Sequence, residues 1–185
     1  MNLNDFRKKN NDFITTEETN VYFNDLENKF IEKINEASYV IGCVAWLTNK
    51  KIIKALEKKE GVKIIIQKEK FLKRDYNYYI CFNKYYVNLR KGYKSLPNLF
   101  NNIDNINVEE NSPMFQICNK KLSDDTDLDG IRCFGYANMR NKPLMHHKFM
   151  VFLDKDMVPY GIWTGSYNFT NNANRCLDNV LYTSN

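Results

Sequence analysis

The chain has two histidines, His146 and His147, and they are neighbours. Any histidine chemistry must therefore happen at that point, and most histidine-based metal sites are excluded. The run from His146 to Leu153 reads as a strand, in which side chains two apart share a face. His146 and Lys148 then project together, and His147 points to the opposite side. Downstream, Gly165-Ser166-Tyr167-Asn168 follows a second strand-like run, Val158 to Thr164, and the glycine lets the backbone turn sharply. A histidine, a lysine, a hydroxyl and a carboxamide at two adjacent strand ends can surround one phosphate. Lys148 would supply charge, Ser166 and Asn168 hydrogen bonds, and His146 the atom that attacks phosphorus. No metal or other cofactor is needed where cations already neutralise the oxyanions. Taken singly, each residue has a plainer reading as a strand histidine, a surface lysine or a turn asparagine. Only the combination points to catalysis.

Several elements must hold those residues. Asn24 before Asp25-Leu26-Glu27 suits a helix N-cap, and Leu26, Phe30, Ile31 and Ile34 recur at helical spacing. Tyr39 to Trp46 is a buried strand by its length and apolarity. Thr48 is placed to cap a second helix running through Leu56 to Glu60 and ending at Gly61, followed by a strand from Val62 to Ile66. Helix, strand, helix and strand at short spacing predict parallel strands joined by right-handed crossovers. Residues 68–100 read as an insertion closed by Pro97, Asn101 and Asn102. Asp125-x-Asp127-x-Asp129-Gly130 mimics the start of a calcium loop, but its twelfth position is Tyr136, so it reads as a solvated turn. Strands from Ile131 to Tyr136 and from Asn179 to Tyr182, with a short helix from Phe169 to Arg175 between them, complete the pattern. There is no internal repeat.

At 185 residues and 22.0 kDa the chain is expected to form a single domain, residues 1–185. Five cysteines with no Cys-x-x-Cys pair argue against a disulfide framework or a zinc ribbon. No apolar run is long enough to span a bilayer, and the N-terminal residues lack a secretory pattern. The expected location is the cytoplasm. The net charge of +5 is concentrated between Lys68 and Lys94, where eight basic residues face two acids among eight aromatics. Cations draw a polyanion and aromatic faces accept bases, so Lys84, Arg90, Lys91 and Lys94 are candidate nucleic-acid contacts. The alternative is an amphipathic segment whose tyrosines pack while its lysines are solvated.

MHHKFMVFLD and WTGSYNFT together resemble the HKD motif of the phospholipase D superfamily, His-x-Lys-x-x-x-x-Asp followed by Gly-Ser-x-Asn. YFNDLENKFIEKINEASYVIGCVAWLTNKKIIKAL and GVKIIIQ are similar to the opening of that family. The resemblance covers both ends of the chain and leaves the middle unassigned. It implies an α/β fold, a mixed, mostly parallel sheet flanked by helices, with one motif per chain. There are two departures. The motif's acid falls at Leu153, with Asp154 one residue late, which implies a bulge or slipped register. At the spacing of the family's histidine-orienting glutamate stands Asn179, and the role is carried to Asp178 one position earlier.

The resemblance further implies a phosphohistidine on His146 and a second histidine that protonates the leaving oxygen. With one motif per chain, that second histidine is expected from a homodimer with a composite site. A metal-independent endonuclease acting on DNA or RNA is the leading expectation. The alternatives are a phospholipid hydrolase or transferase of the same superfamily, and a catalytically inactive nucleic-acid-binding module. The chain stops just after its last strand, where that fold commonly adds a helix. This implies a longer natural protein, with a further domain or partner that sets specificity and no membrane contact.

Overall fold

The computed structural model describes residues 13–16, 18–72, 84–99, 128–134 and 144–184. Its centre is an eight-stranded sheet among the described residues, in the order β1-β2-β8-β7-β6-β3-β4-β5. The strands are β1 (Phe13–Thr16), β2 (Thr19–Tyr22), β3 (Tyr39–Val44), β4 (Gly61–Gln67), β5 (Ile131–Phe134), β6 (Lys148–Leu153), β7 (Pro159–Gly165) and β8 (Val180–Ser184). Helices α1 (Leu26–Glu36), α2 (Lys50–Leu56) and α3 (Lys84–Lys94) accompany them.

The sheet is mixed, as expected, but it is mostly antiparallel. Only β3–β4 and β4–β5 run parallel, and the other five pairings are antiparallel. The expectation of a mostly parallel sheet extended the helical crossovers of the first third to the whole chain. Beyond residue 144 no α-helix intervenes between strands: the short turn at 154–158 joins β6 to β7, the longer stretch 166–179 leads from β7 to β8, and each returns the chain antiparallel.

Helix α1 lays Phe30 and Ile34, both fully buried, on the sheet. Phe30 stacks on Phe169 at 4.2 Å and tilts against Trp163 at 5.0 Å, so one side chain ties α1 to β7 and to the turn beyond it. Removing such a ring typically costs about 3–5 kcal/mol. The caps fall one residue later than the sequence suggests. Asp25, not Asn24, precedes α1, in a left-handed conformation and without a side-chain cap bond. Asn49, not Thr48, caps α2 by accepting from the Lys51 and Ile52 amides. Helix α2 stops at Leu56, and Gly61 opens β4 instead of closing the helix.

Residues 84–99 lie in the stretch set apart as an insertion, yet they contribute to the common core. Leu89, Tyr93 and Leu96 of this segment are buried in one cluster with Ile52, Ile53 and Leu72. Helix α3 thus lies in the crossover between the parallel strands β4 and β5. The aspartates at 125 and 127 and the aromatics between 73 and 83 lie outside the described residues.

Candidate active site

Strand β6 begins at Lys148, and His146 and His147 precede it outside any helix or strand. The Lys148 ammonium lies 3.1 Å from Nδ1 and 3.2 Å from Nε2 of His146, and donates to the His146 carbonyl at 3.0 Å. The expected sharing of one side by residues 146 and 148 is therefore present as a contact. Trp46, just past β3, sets its ring edge-on to His146 at 5.8 Å. His147 is exposed. Removal from water lowers the Lys148 pKa below its ordinary value, and the Asp178 charge opposes that shift.

The neighbouring strand brings the second group. Thr164 pairs with Phe149, and Thr164 Oγ1 donates to the Lys148 carbonyl at 3.3 Å. Gly165 follows, and a Cβ there would run into the Asn179 carbonyl, so no larger residue fits where β7 and β8 converge. Ser166 is then fixed from both sides. Its Oγ donates to Asp178 Oδ1 at 2.6 Å and accepts from the Asn179 amide at 3.0 Å. Its own amide donates to the Asn179 carbonyl at 3.0 Å. Asp178 thus bonds Ser166 and faces the Lys148 charge; among the described residues it makes no hydrogen bond to His146.

The Asn168 carboxamide oxygen is buried and without a hydrogen-bond partner among the described residues. A buried polar atom without a partner calls for an explanation, and a place in a ligand site is one.

The late acid also has a definite position. The β6–β7 register shifts between Phe152 and Leu153, where Gly161 and Pro159 are the successive partners. That is the irregularity implied by the displaced acid. Asp154 Oδ1 accepts from the Asp156 and Val158 amides, each at 2.9 Å, and closes the hairpin. Leu153 is buried beside Tyr39 and Leu99. The acid therefore supports the β6–β7 hairpin from one position later.

Sequence reasoning missed the residues behind His146. Gln67, 1% exposed at the end of β4, accepts the Met145 amide at 2.9 Å. Cys43 sits with its sulfur 3.2 Å from that of Met145, and burial pushes its thiol up to about 11. The available signal was Gln67 itself, a carboxamide closing the apolar run Ile64-Ile65-Ile66.

On α3, Lys84, Lys91 and Lys94 are exposed. Arg90 is not: it is 4% exposed and donates to the Phe71 carbonyl at 3.2 Å. Its place among the nucleic-acid contacts is corrected on that ground, since the apolar face of α3 carries it inward beside Leu89 and Tyr93. Among the described residues no three His, Cys, Asp or Glu side chains group as a metal site would. No helix among them is long and apolar enough to cross a membrane.

A His-x-Lys pair leading one strand and a Gly-Ser-x-Asn turn ending its neighbour define the class, a phospholipase D-like domain. Comparison with known proteins agrees. The family model described as cardiolipin synthase, PLD-like domain, matches residues 30–185, and the chain belongs to that family. It is 40% identical over 189 residues to an uncharacterized protein of Acanthamoeba polyphaga mimivirus, covering 98% of this chain and 65% of that one. The chain thus spans about two thirds of that relative's length. Its fold is similar to NucT from Helicobacter pylori, with a TM-score of 0.53 and 15% identity over 91% of this chain and 86% of that one. Nuc from Salmonella typhimurium, a phospholipase D family member, aligns with a TM-score of 0.46 and 16% identity over 90% and 82% of the two chains. The chain is placed in a superfamily of phosphodiesterases.

Proposed function

We propose that the protein is a metal-independent nuclease that cleaves DNA or RNA through a phosphohistidine. The observation that carries this reading is the meeting of His146 with Lys148 on β6, beside the Ser166–Asp178 pair and the unpartnered Asn168 carboxamide. An imidazole nitrogen of His146 attacks phosphorus, and the P–O bond to the leaving oxygen breaks. That oxygen takes a proton from a second imidazole, which then removes one from water. The water oxygen attacks phosphorus, the P–N bond breaks, and His146 is restored. Lys148 and Asn168 stabilise the charge on the transferring group.

The second imidazole is supplied by His146 of another copy across a two-fold axis, because the chain carries one such motif and its one other histidine is the adjacent His147. The homodimer then has one composite site. Nucleic acid is favoured as substrate by the cationic, tyrosine-bearing α3, which exposes Lys84, Lys91, Lys94 and Tyr85. The description of the matched family favours phospholipid hydrolysis or transfer as a second reading.

The test is incubation with labelled DNA, labelled RNA and anionic phospholipid vesicles in excess EDTA. Cleavage of nucleic acid in EDTA is expected, with activity lost on dilution of the dimer. Activity that disappears with EDTA and returns with magnesium would overturn the metal-free step. Headgroup release would move the substrate to lipid, and retention of nucleic acid without turnover would leave a binding module.

A further inference from the structure

A buried carboxylate stands behind the turn that carries Ser166 and Asn168, and the chemistry proposed above does not use it. Glu27 lies in the first turn of α1 and is 8% exposed. Its Oε2 accepts from Asn49 Nδ2 and from Asn174 Nδ2, each at 2.5 Å, and its Oε1 accepts from Lys51 Nζ at 2.5 Å. Burial alone would raise its pKa. Hydrogen bonds from Lys51, Asn49 and Asn174, together with the Lys51 charge, outweigh burial and hold it below the ordinary value. Three donors from two distant parts of the chain, the start of α2 and Asn174, thus converge on one ionised side chain.

Two of those donors lead to the site. Asn174 Oδ1 accepts the Tyr167 hydroxyl at 2.6 Å, and Tyr167 is 1% exposed. With Tyr167 held inward, Ser166 on one side of it is exposed and Asn168 on the other is half-buried. The second route runs through Asn49, whose backbone amide donates to the Phe169 carbonyl at 2.9 Å, beside the Thr48 amide at 2.8 Å. The Phe169 amide donates back to the Trp46 carbonyl at 3.2 Å. Both residues that bracket Asn168 are thus tied to Glu27 or to its immediate partners.

We infer that Glu27 is a positioning residue for the reaction, acting through Asn174–Tyr167 and Asn49–Phe169 to fix the turn that carries Ser166 and Asn168. The inference rests on the catalytic reading of that turn. A buried network of this kind has one arrangement only while every member is satisfied. Loss of one hydroxyl should loosen the turn before it loosens the core.

The test compares Tyr167→Phe, which removes one oxygen, with Glu27→Gln and the double variant. The readouts are kcat, KM, thermal midpoint and peptide-level hydrogen exchange. Tyr167→Phe should lower kcat about three- to tenfold with KM within about twofold, and Glu27→Gln somewhat more. The double variant should lose no more than Glu27→Gln alone, because the two act through one chain of hydrogen bonds. Exchange should quicken at residues 165–169 in both single variants while β3 stays protected. Unchanged kcat in both, or losses that multiply in full, would overturn the inference. If the wild type turned over no phosphodiester, the reading of the site would fall. Exchange at 165–169 would still decide whether Glu27 holds the turn, and unchanged exchange there would overturn it.

Discussion

The two halves of the sheet put functional residues together in different ways. In β6, β7 and β8, antiparallel strands joined without an α-helix bring His146 and Lys148 to Ser166 and Asp178. In β3, β4 and β5, parallel strands joined by crossovers bring Trp46 and Gln67 to the same place from far earlier in the chain. The first half carries reactive groups near the surface. The second carries supports, Gln67 buried and Trp46 half-buried. Side chains one residue apart in the chain can be read as a motif, and one supplied across a crossover cannot.

The largest expected effect breaks the first half alone. His146→Ala should abolish cleavage, a loss of many orders of magnitude for a covalent nucleophile, while nucleic-acid binding and the thermal midpoint stay near wild type. His147→Ala should retain measurable activity, since that ring shares none of its neighbour's hydrogen bonds to Lys148. Steady-state rates of both variants check this, and equal activity would remove His146 as the nucleophile.

The same contrast explains what was legible in the sequence. His146 with Lys148, and Ser166 with Asn168, are each separated by a single residue, so strand alternation was enough to pair them. Helix α1, strand β3 and strand β4 were readable because their apolar spacing is regular. The helix starts at Asp25 and Asn49 lie one position beyond the expected ones, because each stands beside another residue type common at N-caps. Only the fold shows that Asn49 also reaches Glu27. Glu27 read as an ordinary first-turn acid, since the donors Asn49 and Asn174 belong to other elements. The sheet's predominant direction was misjudged for the same reason: direction is set by connections, and only the first of these were helical.

A smaller effect should come from α3, on the parallel side. Lys84→Ala, Lys91→Ala and Lys94→Ala together should weaken binding to duplex DNA. They should flatten the log–log salt slope by about 0.9 for each phosphate no longer neutralised. Arg90→Ala should leave that slope unchanged and lower the thermal midpoint instead, because its guanidinium is spent on the Phe71 carbonyl inside the fold. Binding isotherms across a salt series separate the two outcomes. An unchanged slope in the triple variant would make α3 a packed helix with a solvated lysine face.

The smallest expected effect crosses between the halves, at Gln67. Its carboxamide accepts the Met145 amide and donates to the Lys68 carbonyl at 3.0 Å, so both ends are engaged within a buried site. Met145 precedes His146, and β6 begins at Lys148. The segment bearing the histidine is therefore held by this bond from β4 and by Trp46 from beyond β3. Gln67→Leu keeps the apolar bulk but leaves the Met145 amide without its partner, a defect that typically costs about 1–3 kcal/mol. Part of that cost falls on stability. The rest should appear as a histidine held less often in line with phosphorus, a kcat lowered about fivefold with KM little changed. Gln67→Glu keeps an acceptor for Met145 and should recover most of kcat while losing the Lys68 bond. If Gln67→Leu lowered only the thermal midpoint and left kcat intact, β4 would support the core and not the nucleophile. The antiparallel half would then carry the chemistry without its neighbour.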